Sequence, residues 1–237
     1  MDMIFEPDVT LTDYLLTAEC ALFIYLLIIK IAELPATSGQ RAIQHWFVVF
    51  FASVGLAAFL GGTRHGFFPE LESFGNQALD VGSMVALGLS TLAAWSFGAK
   101  LLFSKGVTRV VIIFATIDLI AYLYCLLFIS QSFLVAIVNY LPSAIFALIV
   151  FAIVGIRLRE RAAWIGALGV LLMFIGAGVQ QAEIDLHPVY FTFNSVYHVI
   201  QAVALYMIFY FAYWLVKIPE FAPVLSRGKQ AEVRDSK

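Results

Sequence analysis

Several ionisable side chains lie within, or directly beside, long apolar runs of this sequence. Five of them are Glu19, His65, Asp80, Asp118 and His198. Ionisable groups are costly inside a bilayer and are kept there mainly for binding, proton transfer or pairing. Imidazole and carboxylate groups also hold divalent metals and carry general acid–base chemistry. These five residues are therefore the first candidates for a functional site.

The last apolar run carries a polar stripe of Asn194, His198 and Gln201. Spacings of four and three residues place these side chains within about 60° of one another on a helix. One interpretation is hydrogen bonding between helices, which Asn, Gln and His commonly provide in membranes. The other is a metal-binding or catalytic face, because two ligands four residues apart can hold one ion. The spacing alone is compatible with both.

Seven apolar runs are available to position these residues. The chain is 62% hydrophobic and only 13% charged, with a mean hydropathy of +0.93, whereas soluble domains carry about 25% charged residues. Each run reaches about 20 mostly apolar residues, enough to cross a bilayer as a helix. We expect an all-α, polytopic membrane protein with one seven-helix domain over residues 1–224 and a polar cytoplasmic tail over 225–237. The predicted helices are 12–34, 43–62, 78–99, 108–129, 132–156, 162–181 and 191–216.

The basic residues predict the orientation of these helices. Thirteen of the 14 Lys and Arg residues fall in alternate gaps between the runs or near the C-terminus. By the positive-inside rule those gaps and the C-terminus face the cytoplasm, and the N-terminus faces outward. A bacterial inner membrane is the expected location. The net charge of −2 gives no indication of a nucleic-acid partner.

This orientation gathers Glu19, His65, Asp80 and His198 in the outer part of the membrane. We therefore expect a polar cavity that opens toward the non-cytoplasmic side. Arg64, the one basic residue outside the pattern, precedes His65 and either meets an anionic head group or extends to the interface. Asp118 lies near the middle of its helix and is either a hydrogen-bonding partner or a proton relay.

Three short segments resemble motifs of a known superfamily. They are Gly61–Phe68, with the pattern Gly-Gly-X-X-His-Gly, Gln77–Met84, which contains Asp80, and Asn194–Gln201, with the pattern Tyr-His-X-X-Gln. Together with seven helices, they resemble the CREST superfamily of alkaline ceramidases and progestin/adipoQ receptors, in a divergent bacterial branch. That resemblance covers the whole chain in topology but only these three segments in sequence.

The resemblance implies a zinc-dependent intramembrane hydrolase that acts on an amide- or ester-linked lipid. His65 and His198 match two of the family's three zinc ligands, and Asp80 matches its catalytic Asp. Two positions depart from the pattern, since Gly61 stands where the family has Ser and Asn194 where it has the third His. Glu19, Arg64, Asn194, Gln201 and Asp118 are predicted to support the site.

Two further functions are open. The departures at Gly61 and Asn194 also suit a scaffold that has lost its chemistry and binds a lipid, a pigment or a quinone, or serves as an accessory subunit of a membrane complex. A lesser alternative is a haem protein with His65 and His198 as axial ligands. The expected partners are therefore membrane lipid and, for an accessory subunit, other proteins, and whether the chain is an enzyme stays open.

Overall fold

A computed structural model describes residues 4–35, 38–218 and 223–224 of the chain. Over these residues the fold is all-helical. Its seven helices are α1 (Pro7–Ala32), α2 (Gly39–Phe67), α3 (Phe74–Leu102), α4 (Lys105–Phe128), α5 (Phe133–Leu158), α6 (Arg161–Gln181) and α7 (Phe193–Val216). All seven are long and apolar enough to span a membrane, which indicates an integral multi-pass membrane protein. The predicted tail at 225–237 lies outside the described residues.

The helix ends differ from the predicted spans by up to five residues. Apolar runs mark only the stretch that crosses hydrocarbon, whereas a helix continues until a residue caps it. Ser38 caps α2 by accepting a hydrogen bond from the Arg41 amide, and Ser73 caps α3 in the same way through Asn76. The correction matters most for α2, because its last two turns include His65, which the sequence placed beyond the helix.

Six helices close a ring. α1 packs against α2 and α7, α2 packs against α3, α3 packs against α5, and α5, α6 and α7 follow in chain order. α4 lies outside this ring, mainly against α3, and is the most exposed of the seven spans. Large apolar side chains such as Phe114, Ile117 and Ile120 are more than half exposed along it. A lipid environment accounts for that surface, since a soluble fold would bury it.

The two ends of the bundle differ in chemistry. We call the end with the α1–α2, α3–α4 and α5–α6 connections the basic end, and the opposite end the polar end. The basic end carries the nine Lys and Arg residues of the alternating pattern that lie within the described ranges. Its core consists of phenylalanines, among them Phe47 stacked on Phe97 with ring centroids 4.3 Å apart. Gln44 donates to the carbonyl of Ala212 at 2.8 Å and joins α2 to α7 there.

Helices α1 and α2 approach each other closely through glycine. A Cβ added at Gly55 would lie 2.8 Å from the Cβ of Cys20, and one at Gly62 would lie 2.8 Å from the Cβ of Asp13. The buried face of α1 has a repeat of four and three residues. Its members are Val9, Asp13, Leu16, Cys20, Phe23 and Leu27. This contact therefore carries one carboxyl group, that of Asp13, into the interior of the polar end.

Candidate functional site

A cavity of about 380 Å³ occupies the polar end of the bundle. Its wall is formed by α1, the second half of α2, the first turns of α3, and parts of α5, α6 and α7. Five Asp, Arg and His side chains line it. They are Asp13, Arg64, His65, Asp80 and His198. We call this space the polar chamber.

Arg64 bridges two helices on one side of the polar chamber. Its Nη1 donates to Oδ1 of Asp80 at 2.7 Å, and its Nη2 lies 3.2 Å from Nε2 of His65. About a quarter of the Arg64 side chain is exposed, so the guanidinium is part of the chamber wall. An arginine has no acceptor atom, so it donates to the unprotonated nitrogen of His65.

The other nitrogen of His65 lies 2.7 Å from Oε2 of Glu6, just before α1 begins. Because Nε2 accepts from Arg64, Nδ1 carries the proton and donates to Glu6. This hydrogen bond lowers the pKa of the Glu6 carboxyl below its ordinary value of 4.5, although partial burial opposes the shift. Glu6, His65, Arg64 and Asp80 thus form one continuous chain of polar contacts.

His198 is held between two residues of α1. Its Nδ1 lies 3.0 Å from Oγ1 of Thr12, and its Nε2 lies 3.3 Å from Oδ1 of Asp13. Thr12 donates its own proton to the carbonyls of Asp8 and Val9, so it accepts one from Nδ1 of His198. A single proton is then shared between Nε2 and the Asp13 carboxyl. Both side chains are at most 10% exposed.

Asp8 joins the beginning of α1 to the beginning of α7. Its Oδ2 accepts from the Thr192 amide at 3.0 Å, the Thr192 hydroxyl at 2.8 Å and the Ser195 hydroxyl at 2.6 Å. The carboxylate therefore serves as an N-cap for α7 supplied by another helix, where a negative charge is favoured. This contact closes the helical ring next to the polar chamber.

A second, mainly apolar cavity of about 260 Å³ adjoins the polar chamber. The two share part of their walls. The shared residues are Val54, Leu87, Phe133, Gln180, Tyr197 and Gln201. Beyond these, the second cavity is lined by side chains of α5 and α6 such as Tyr140, Met173 and Phe174. Phe133 and Leu141 in its wall are 47% and 42% exposed, so it reaches the lipid-facing surface. We call it the apolar chamber.

Six of the eight residues predicted for the site line the polar chamber. They are Arg64, His65, Asp80, Asn194, His198 and Gln201. Asn194 accepts a hydrogen bond from Gln180 of α6 at 3.0 Å, which agrees with the interhelical interpretation of the α7 stripe. Asp80 contacts Arg64 and neither histidine within hydrogen-bond distance.

Glu19 and Asp118 lie away from the chamber. Glu19 does not line it, and its Oε2 is buried without a hydrogen-bond partner among the described residues. Asp118 accepts a hydrogen bond at 3.0 Å from Asn139 of α5, so its partner is an amide of the neighbouring helix.

Four residues near the start of α1 were not recognised from the sequence. They are Glu6, Asp8, Thr12 and Asp13, which bond to α2 and α7. The four-and-three repeat that continues through Leu16, Cys20 and Phe23 was the available signal, because it places Asp13 on the buried face of α1. The Asp13 carboxyl also limits the space at position 61, where the chain has glycine, since a Cβ there would lie 3.2 Å from Oδ2 of Asp13.

In the described arrangement, the ring nitrogens of both histidines that the sequence assigned to zinc are engaged by other side chains. Both ring nitrogens of His65 and both of His198 already contact protein groups, and the Nε2 of His65 faces the guanidinium of Arg64. A zinc ligand must offer an unprotonated nitrogen to the metal. Among the described residues there is no group of three or more His, Cys, Asp or Glu side chains placed to hold a metal.

The described geometry therefore consists of the polar chamber and the apolar chamber, which adjoin each other at the polar end of a seven-helix bundle. No curated protein and no solved structure matches the chain. Residues 9–213, which include all of the polar-chamber residues named above, match DUF6962, a family of unknown function, and the chain belongs to that family.

Proposed function

We propose that this protein binds an amphipathic lipid at the polar end of its bundle. The polar part of the lipid occupies the polar chamber, and an acyl chain occupies the apolar chamber. The observation that carries the proposal is the wall common to the two chambers, in which Gln180, Tyr197 and Gln201 face both. Chambers of about 380 and 260 Å³ together fall within the range of about 300–1,000 Å³ typical of small-molecule sites.

The chemistry of the two chambers supports an amphiphile over a wholly apolar or wholly polar ligand. Arg64 offers N–H donors beyond those that bond to Asp80 and His65, while Asn194 and Gln201 offer amide groups to a head group. The apolar chamber offers Phe133, Met173 and similar side chains, and its exposed edge allows lateral entry from the bilayer. Such a site gains from burying the acyl chain and needs few polar contacts for orientation.

The charges support one orientation in the membrane. Nine described basic residues lie at one end, and the positive-inside rule favours a cytoplasmic position for that end. In this orientation the polar chamber lies near the non-cytoplasmic surface. The lipid then enters from the outer leaflet. A bacterial inner membrane remains the expected location, and service as an accessory subunit of a larger complex is compatible with this site.

The proposal is tested by narrowing the apolar chamber. Gly178 lines it, and a Cβ added there would meet no atom within 4 Å, so a Gly178→Phe variant is expected to fold. Lipid extracted from the purified variant should be reduced relative to wild type when measured by mass spectrometry. Gly106→Phe is the matched control, because Gly106 also has nothing within 4 Å of an added Cβ and lines neither chamber. Equal lipid in all three proteins would contradict the proposal.

Hydrolysis of an amide- or ester-linked lipid is the second candidate function. It is favoured by the presence of His65, Asp80 and His198 in one cavity beside an apolar chamber. Metal analysis of purified protein tests the zinc-dependent form. Stoichiometric zinc that disappears in a His65→Ala, His198→Ala double variant would support it, and metal-free, folded wild type would refute it. A Soret band in the same sample would support the haem alternative.

A further inference from the structure

A third cavity, separate from the two chambers, lies at the basic end between α2, α3 and α4. Its volume is about 830 Å³. Three cationic side chains line it, Lys100 at the end of α3 and Lys105 and Arg109 in the first turns of α4. The hydroxyl-bearing residues Ser38 and Ser104 belong to the same wall. We call this cavity the basic groove.

None of the three cationic side chains forms an ion pair with an acidic residue in the described part of the chain. Lys30 at the same end differs, because its Nζ lies 2.8 Å from Oε1 of Glu33. Cations that share one cavity repel each other, and a bound anion would replace that repulsion with attraction. The groove therefore has the charge of an anion site and lacks an anionic protein side chain among the described residues.

The remainder of the groove is mainly apolar. Ile43, Phe103, Ile112 and Ile113 lie in its wall, and Ile113 is 53% exposed on the outside of α4. The cations thus lie at the membrane surface, and the isoleucines of α4 continue from them toward the hydrocarbon. A free phosphate ion needs only the cations, whereas a phospholipid uses both the cations and the apolar surface of α4.

We propose that the basic groove binds the anionic head group of a phospholipid from the leaflet at the basic end, with part of an acyl chain along α4. This site is independent of the lipid proposed at the polar end. It shares no lining residue with the two chambers, so either proposal can fail without the other.

Native mass spectrometry of the full chain tests the proposal. Purified protein is mixed with phosphatidylglycerol, which carries one negative charge, or with zwitterionic phosphatidylcholine. Wild type is expected to retain phosphatidylglycerol more strongly. A triple variant, Lys100→Gln with Lys105→Gln and Arg109→Gln, should bind it about 100-fold more weakly, at roughly fivefold per basic residue near a membrane surface. Its binding of phosphatidylcholine should be unchanged.

The matched control removes three charges from the same end of the bundle. Arg157, Arg159 and Arg161 surround the α5–α6 connection, are exposed, and do not line the groove. Changing all three to Gln is expected to leave phosphatidylglycerol binding within about twofold of wild type. Salt screens charges that lie away from the bound head group, whereas the cations of the groove contact it directly. Arg109→Gln alone, at an exposed position, gives a milder variant with an expected loss of about fivefold should the triple variant fail to fold.

Three outcomes would overturn the proposal. The first is equal retention of phosphatidylglycerol by wild type and the groove variants. The second is an equal loss in the control variant, which would indicate non-specific surface charge. The third is competition by inorganic phosphate at the same concentration as the lipid, which would assign the groove to a free anion.

Discussion

The contact between Asp13 and His198 can be tested by replacing its two partners separately and together. Asp13→Asn keeps the shape of the side chain and supplies an amide that can donate to Nε2 of His198. Asp13→Leu removes every hydrogen-bonding atom and leaves Nε2 buried without a partner. The side chain of His198 is only 9% exposed, so its Nε2 atom has little contact with bulk solvent.

The magnitudes follow from the cost of an unsatisfied buried group. Asp13→Leu is expected to lower the free energy of unfolding by about 1–3 kcal/mol, and Asp13→Asn by less than about 1 kcal/mol. His198→Leu should cost about 1–3 kcal/mol or more, because it leaves the Asp13 carboxyl buried alone. The double variant with Leu at both positions should cost less than the sum, since neither partner is then left unsatisfied. The difference is expected to be about 1–2 kcal/mol.

Equilibrium unfolding in mixed micelles, followed by tryptophan fluorescence at increasing fractions of sodium dodecyl sulfate, measures these free energies. Thr12→Val is a useful companion, because it removes the acceptor of the Nδ1 proton while leaving Asp13 in place. Additive costs in the double variant, or equal costs for Asn and Leu at position 13, would refute the hydrogen-bonding scheme of His198.

Three further predictions concern packing, pH and topology. Gly62→Val should lower the free energy of unfolding by about 1–3 kcal/mol, because the new Cβ would lie 2.8 Å from the Cβ of Asp13. The control Gly106→Val should lower it by no more than about 0.5 kcal/mol. Thermal melts in detergent compare the two variants. The pKa of Glu6 is lowered by His65, so the stability from this contact is present above pH 4.5 and is lost as the pH falls through the lowered value. An acid titration should show this loss in wild type and not in Glu6→Gln, and identical curves would contradict it. A reporter fused to the C-terminus should be active only in the cytoplasm, and a periplasmic signal would reverse the proposed orientation.

Much of the helical architecture could be predicted from the sequence, because long apolar runs leave little choice of secondary structure in lipid. The helix ends could not, since Ser38 and Ser73 cap helices outside the apolar runs. The predicted topology also placed His65, Asp80 and His198 at the same end of the bundle, and the structure brings them into one cavity.

The helix face on which each side chain lies was harder to predict than its position along the helix. Glu19 was placed at a suitable depth but lies six residues after Asp13, which turns it about 120° away on the helix. Asp13 was not among the predicted site residues, although the repeat through Leu16 and Cys20 marks it as buried. The Arg64–Asp80 pair spans the α2–α3 connection, and no local pattern indicates such a contact.

The bonds between α1 and α7 also constrain how the protein is made. Asp8, Thr12 and Asp13 leave the ribosome before their partners Thr192, Ser195 and His198, which are synthesised about 180 residues later. An unpaired acidic residue within a span costs about 2.5–3.5 kcal/mol during insertion, and the apolar remainder of α1 must offset it. We therefore expect α1 to be less stable in the membrane until α7 is inserted, so truncation before α7 should produce a chain that cellular quality control removes.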